Sequence, residues 1–207
     1  MSKTSFLTVI FAIVLLTAAQ ADRTLPEGRA QTTLISAENE TTAFQTRSAL
    51  NSPLPKPSIV VKKARRELLL YSNDKLVRTY HVGLGLSPLG DKVRAGDRRT
   101  PEGDFYIFTK NNKSAFYLSL GVSYPNAPHA ERGLRDGLIS RGQYQSIISA
   151  VKSKRTPLQN TRLGGDIYIH GNGALSDWTW GCVALENENI RELFDAVTVG
   201  TPVTIRQ

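Results

Sequence analysis

The sequence predicts a mainly β domain carrying a few peripheral α-helices. Three observations support that class. Short runs of β-branched, aromatic and leucine residues recur from residue 58 onward, each too short for an ordinary helix. Turn formers separate them, with 16 Gly and 10 Pro in 207 residues. Apolar residues fall at helical spacing in only two segments, around 144–151 and 190–197.

Ile59-Val60-Val61 opens the domain. Residues 67–71 and 76–82 then flank Ser72-Asn73-Asp74-Lys75, two apolar runs around a polar turn, which predicts a hairpin. After Gly83-Leu84-Gly85 comes a loop holding Gly90-Asp91-Lys92 and Gly96-Asp97-Arg98-Arg99-Thr100-Pro101-Glu102-Gly103, dense enough in Gly, Asp and Pro to be an ordered series of turns. Residues 105–108, 115–120 and 166–170 read as further strands. Tyr144, Ile147, Ile148 and Val151 form one helical stripe, and Ile190, Leu193, Phe194 and Val197 a second. Asn187 is the expected N-cap of the second helix, with Glu188 in its first turn. Residues 201–205 close the domain as a strand.

The N-terminal part reads differently. Lys3, an apolar run of about 14 residues and Ala19-Gln20-Ala21 fit a cleavable signal peptide over residues 1–21. The run is shorter than the ~20 residues that span a bilayer. Residues 22–57, polar and ending in Pro53-Leu54-Pro55-Lys56-Pro57, read as a flexible tether. The catalytic or binding domain is then 58–207. Export, as to a bacterial periplasm, bears on the net charge of +8. Outside the cytoplasm nucleic acid is not the expected partner, and the accessible polyanions are membrane surfaces and the cell wall.

One cysteine excludes a disulfide scaffold and a thiolate metal cluster, and three histidines leave little for a His-rich metal site, so no metal or organic cofactor is expected. The cysteine itself is the informative residue. A strand delivers His170, a glycine-containing loop reverses the chain, and Gly181-Cys182 precedes another apolar run. An imidazole beside a thiol can take its proton and return it to a leaving amine. Gly181 permits close approach of the backbone to a carbonyl, so amides of Trp180, Gly181 and Cys182 can form an oxyanion hole. A free cysteine is most often a small buried hydrophobe. An unpaired thiol in an oxidising compartment needs a reason, and the His/Gly/Trp surroundings supply one.

His170-Gly171 followed by Gly181-Cys182-Val183 resembles the His-Gly … Ser-His-Gly-Cys-Ile/Val-Arg signature of the L,D-transpeptidase (YkuD) catalytic domain family. The resemblance extends over about 58–207, through the Arg99-Thr100-Pro101-Glu102-Gly103 loop and Gly200-Thr201-Pro202-Val203. Leu118-Ser119-Leu120-Gly121-Val122-Ser123-Tyr124-Pro125-Asn126 and Asp177-Trp178-Thr179 with Gly181-Cys182 are closer still to its YafK branch. The resemblance implies a β-sandwich-like YkuD fold and an exported enzyme of peptidoglycan metabolism. It makes Cys182 the nucleophile on a stem peptide, His170 the base and the Gly171 carbonyl the group that orients the imidazole. Tyr117 and Tyr124 are implied as pocket walls and Thr179 as a further substrate contact, while Trp178 and Trp180 suit either stacking on a sugar or stem or packing of the loop against the domain.

Departures from the signature bear on the reaction's outcome. Thr179 and Trp180 replace the family's Ser-His, and Ala184 replaces an arginine linked to carboxylate binding, a role left to Arg98, Arg99 or Arg162. The YafK branch shares these changes and is associated with hydrolytic release of a murein-linked lipoprotein. Resolution of a Cys182 thioester by water therefore competes with transfer to an amine. A non-catalytic wall-binding module is the rival of another class. Papain-like and NlpC-type peptidases are set aside because their cysteine precedes their histidine.

Overall fold

The computed structural model describes residues 48–207, so the expected signal segment and the tether up to residue 47 lie outside the described residues. Eight strands form one curled sheet: β1 (Pro57–Lys62), β2 (Glu67–Ser72), β3 (Lys75–His81), β4 (Gly103–Ser114), β5 (Tyr117–Val122), β6 (Tyr168–His170), β7 (Val183–Ala184) and β8 (Pro202–Arg206). Their order is β3-β2-β1-β8-β4-β5-β6-β7. Among the described residues, three α-helices accompany them: α1 (Ala127–Arg135), α2 (Arg141–Lys152) and α3 (Asn187–Ala196). The fold is mainly β, as the sequence predicts.

The long strand β4 makes the curl. Its first residues pair with β8, from Gly103↔Ile205 to Tyr106↔Pro202, and its remainder pairs with β5 from Ile107↔Val122 onward. Register shifts after Ile107 and after Asn111 bend it between the two partners. Side chains alternate through the sheet, so Val203 and Ile205 of β8 and Ile59 and Val61 of β1 are buried while their neighbours are not. They meet Leu68, Leu70, Val82, Ile107, Leu120 and Val183 in the main core. From α3, Ile190 and Leu193 enter the same core, the helix lying against β5. A smaller core under α1 and α2 holds Ala130, Ile139, Ile147 and Leu163.

Several expectations shift. Helix α1 has no apolar stripe to reveal it, because its buried face is His129, Ala130 and Gly133. Its signal is at the end: Asn126 Oδ1 accepts from the His129 amide at 3.2 Å, with a proline in the first turn. Glu186, not Asn187, is the N-cap of α3. Asn187 Oδ1 instead accepts from the Asn172 amide at 2.9 Å and ties the helix to the loop after His170. The 166–170 strand contracts to Tyr168–His170, since Asp166 has φ +53°, outside the extended range. The 115–120 strand becomes Tyr117–Val122 because β4 runs on to Ser114 and the hairpin turns there. Just ahead of β1, Leu50 and Leu54 pack on the main core and the Leu54 amide donates to Ala196 O at 2.9 Å, so this stretch is attached to the domain.

The turns between Gly83 and Gly103 are pinned from within. Lys63 is fully buried, and its ammonium donates to Gly90 O (2.6 Å), Thr100 O (3.0 Å) and Glu102 Oε1 (2.8 Å). Asp97 pairs with Lys92 at 2.7 Å and accepts the amides of Val93, Arg94 and Arg99. Asp91 receives the Glu102 amide, His129 Nε2 and Arg132. Burial raises its pKa, but His129, that amide and Arg132 outweigh burial and hold it at about 2.

Candidate active site

His170 ends β6, which lies between β5 and β7 with Ser119 opposite it on one side and Ala184 on the other. The parallel register Ile169↔Val183 and His170↔Ala184 places Cys182, one residue ahead of β7, beside Tyr168. Two-residue alternation then turns Cys182 and His170 to the same side of the sheet. Both line a cavity of about 350 Å³, together with Lys113, Phe116, Asp166 and Tyr168. Imidazole and thiol share this cavity without a direct hydrogen bond between them among the described residues.

His170 is 3% exposed, and its Nδ1 lies 2.7 Å from Gly171 O. A carbonyl can only accept, so Nδ1 carries the proton and Nε2 keeps its lone pair. Burial holds the His170 pKa below the usual histidine value, with the Gly171 carbonyl pulling partly back. Cys182 is half-buried; its Sγ accepts the Tyr168 amide at 3.4 Å and lies 3.5 Å from Asp166 O. Burial pushes the thiol up to about 11, Asp166 adds to the rise, and the Tyr168 amide and Lys92 counter it. Both shifts favour a neutral thiol and a neutral imidazole at rest. Such a pair suits general-base attack, in which the proton leaves sulfur as the new bond forms.

The turn before Cys182 is tightly braced. Thr179 Oγ1 donates to Cys182 O at 2.8 Å and accepts the Gly181 amide at 3.1 Å. Thr179 is itself held by Leu84 O and the Leu86 amide, and Thr100 Oγ1 lies 3.4 Å from Cys182 O. Gly181 has φ +129°, and a β-carbon there would lie 2.7 Å from Arg99 O, so only glycine fits. Of the expected oxyanion set, the Gly181 amide donates to Thr179 Oγ1. The Trp180 and Cys182 amides of the same turn have no acceptor among the described residues. The Trp180 ring is 70% exposed with the Arg98 guanidinium over it at 5.2 Å.

The remaining expected residues are dispersed. Trp178 packs edge-on to His170 at 5.5 Å and donates from Nε1 to Gly173 O at 3.1 Å, on the wall of a neighbouring cavity. Tyr117 does not line the Cys182 cavity: its hydroxyl accepts from Arg191, whose guanidinium also stacks on its ring. Tyr124 is no pocket wall either, being fully buried with its hydroxyl on Leu163 O at 2.9 Å. Ala184 is fully buried and offers no cation. Of the suggested replacements, Arg99 donates to Asp91 O and Arg162 to Gly137 O, while Arg98 lies beside the Cys182 turn on Trp180. Phe116, Lys113 and Asp166 were not singled out by sequence, yet all three line the cavity. No group of three or more His, Cys, Asp or Glu among the described residues is placed to hold a metal ion.

Comparison with known proteins adds to this geometry. Solved structures that match this chain include Bd1075 of Bdellovibrio bacteriovorus, with 20% identity and a TM-score of 0.49, covering 74% of this chain and 48% of that one. The helical cell shape determining protein Pgp2 of Campylobacter jejuni, as its K307A mutant, shows 22% identity and a TM-score of 0.48, covering 75% and 48%. An L,D-transpeptidase of Xylanimonas cellulosilytica shows 16% identity and a TM-score of 0.44, covering 76% and 63%. This chain thus spans less than two thirds of each of those chains. No curated protein sequence matches it. The family model of the L,D-transpeptidase catalytic domain, YkuD, matches residues 56–205, a span that contains His170, Gly171 and Cys182. On that match the chain belongs to the L,D-transpeptidase (YkuD) catalytic domain family.

Proposed function

We propose that this protein is an exported cysteine enzyme of peptidoglycan metabolism, an L,D-transpeptidase acting through a Cys182 thioester on a stem peptide. The observation that carries the reading is His170: its Nδ1 is committed to Gly171 O at 2.7 Å, and it shares one cavity with Cys182. Nε2 accepts the thiol proton as Sγ attacks the carbonyl of the third stem residue. The tetrahedral oxyanion is held by the Trp180 and Cys182 amides. Collapse breaks the carbon–nitrogen bond, the imidazolium returns its proton to the departing D-Ala amine, and a thioester remains. An acceptor amine, from a second stem or a lipoprotein lysine, gives a proton to Nε2 and takes the acyl group, regenerating the thiol.

Resolution by water is the second reading, favoured by Trp180 and by the buried, uncharged Ala184, the departures shared with the YafK branch. The test is to incubate the purified protein with murein and separate the products by chromatography and mass spectrometry. New 3-3 cross-links support transfer. Shortened stems or released lipoprotein without cross-links support hydrolysis. Murein that is bound but unaltered would overturn the enzyme reading in favour of a wall-binding module.

A further inference from the structure

We propose that Phe116 is a positioning residue for the reaction above, on whose reading this inference rests: with the Trp178 indole it shelters the His170 imidazole and fixes the plane in which Nε2 meets the Cys182 cavity. Phe116 sits at the tip of the β4–β5 hairpin, between Ser114 and Tyr117, and is 42% exposed. Its ring lies 4.7 Å from the imidazole, centroid to centroid, with the planes 31° apart. Trp178 meets the same imidazole edge-on at 5.5 Å and 69°, and the two aromatic rings stand 5.9 Å from each other. Such offset and edge-on contacts define ring orientation as well as bury area. The main chain adds to the grip, because Phe116 O accepts the Gly171 amide at 3.1 Å, and Gly171 is the residue whose carbonyl holds Nδ1. Phe116 thus contacts the imidazole face with its side chain and steadies the imidazole's hydrogen-bond partner with its backbone.

Its place between two spaces sharpens the role. Phe116 lines the Cys182 cavity and also a second cavity of about 400 Å³, walled by Asn172, Gly173, Leu175, Ser176 and Trp178. Because Phe116 lines both, truncating its ring should let solvent from the second cavity reach His170. The strand neighbours of His170, Ser119 and Ala184, carry no charge. The titratable groups that share its cavity are Lys113, Asp166, Tyr168 and Cys182. Its depressed pKa comes from burial, and the Gly171 carbonyl acts in the opposite sense. Hydration of the ring should therefore raise it.

The experiment is an NMR titration of the His170 imidazole in the full chain, without substrate, for wild type, Phe116→Ala and Phe116→Tyr. A pH–rate profile on a tetrapeptide stem runs in parallel. Phe116→Ala is expected to move the His170 titration upward toward about 6.5. The acid limb of kcat/KM should follow by the same amount, with kcat falling roughly tenfold or more and KM changing far less. Phe116→Tyr, which keeps the ring, should restore both. Where Phe116→Ala fails to fold, Phe116→Leu keeps apolar bulk at the tip and should show the same upward shift in smaller size. A His170 titration unmoved in the folded variant overturns the proposal. Because that readout needs no turnover, an upward shift in a protein inert toward murein would sink the enzyme reading and leave the sheltering contact standing. Turnover with no shift would sink the positioning role alone.

Discussion

The neutral thiol at Cys182 has a consequence that alkylation can measure. A pKa of about 11 leaves about one thiol in 10⁴ ionised at pH 7. An ordinary thiol near 8.5 is about 3% thiolate there, roughly 300-fold more. The more basic thiolate is intrinsically more nucleophilic, recovering roughly tenfold at a Brønsted slope of about 0.45. Cys182 should therefore react with iodoacetamide roughly 20- to 30-fold more slowly than free cysteine at pH 7. Its rate should rise about tenfold per pH unit through pH 9.5 without a plateau. The assay follows the carbamidomethyl adduct on the Cys182 peptide by mass spectrometry, with unfolding monitored in parallel. A rate that levels off below pH 8 would refute the reasoning, since it would mean a preformed thiolate–imidazolium pair.

Three further outcomes follow from the braces around the site. Thr179→Val removes the hydroxyl that serves Cys182 O and the Gly181 amide; thermal denaturation should show a loss of about 1–3 kcal/mol, and turnover should fall with it. Gly181→Ala places a β-carbon 2.7 Å from Arg99 O at φ +129°, so it should lower the melting temperature and abolish turnover; a fully active, equally stable variant would contradict the turn geometry. Asp91 has its folded pKa depressed to about 2 from 3.8, so its contribution, about 1 kcal/mol once solvent screening of this partly exposed group is allowed for, is present above pH 4 and lost as pH falls toward 2. Urea unfolding at pH 2.5–5 should show a steep acid loss in wild type and a shallower one in Asp91→Asn.

Legibility in the sequence tracks how local each interaction is. His170, Gly171 and Cys182 could be read because a strand end, a reversing loop and a second short strand lie within 15 residues and carry period-2 alternation. Phe116 could not be read, since its approach to His170 depends on the Ser119↔His170 pairing and on how far β4 runs before it turns. Helix α1 stayed hidden because a face of His129, Ala130 and Gly133 has no hydrophobic period. Tyr124 sits in a motif that suggested a pocket, but its side chain is consumed by Leu163 and the His129 cluster. The bond from the Gly181 amide to Thr179 Oγ1 could not be read from the Gly-Cys pair, because it depends on where the Thr179 side chain lies.

The central claim is a covalent acyl intermediate on Cys182. The most direct measurement is intact and peptide mass spectrometry of protein quenched during incubation with a tetrapeptide stem. The predicted result is a hydroxylamine-labile acyl adduct mapped to Cys182, absent from Cys182→Ala and strongly reduced in His170→Ala. A Cys182→Ala protein that processes the stem at the wild-type rate would contradict it.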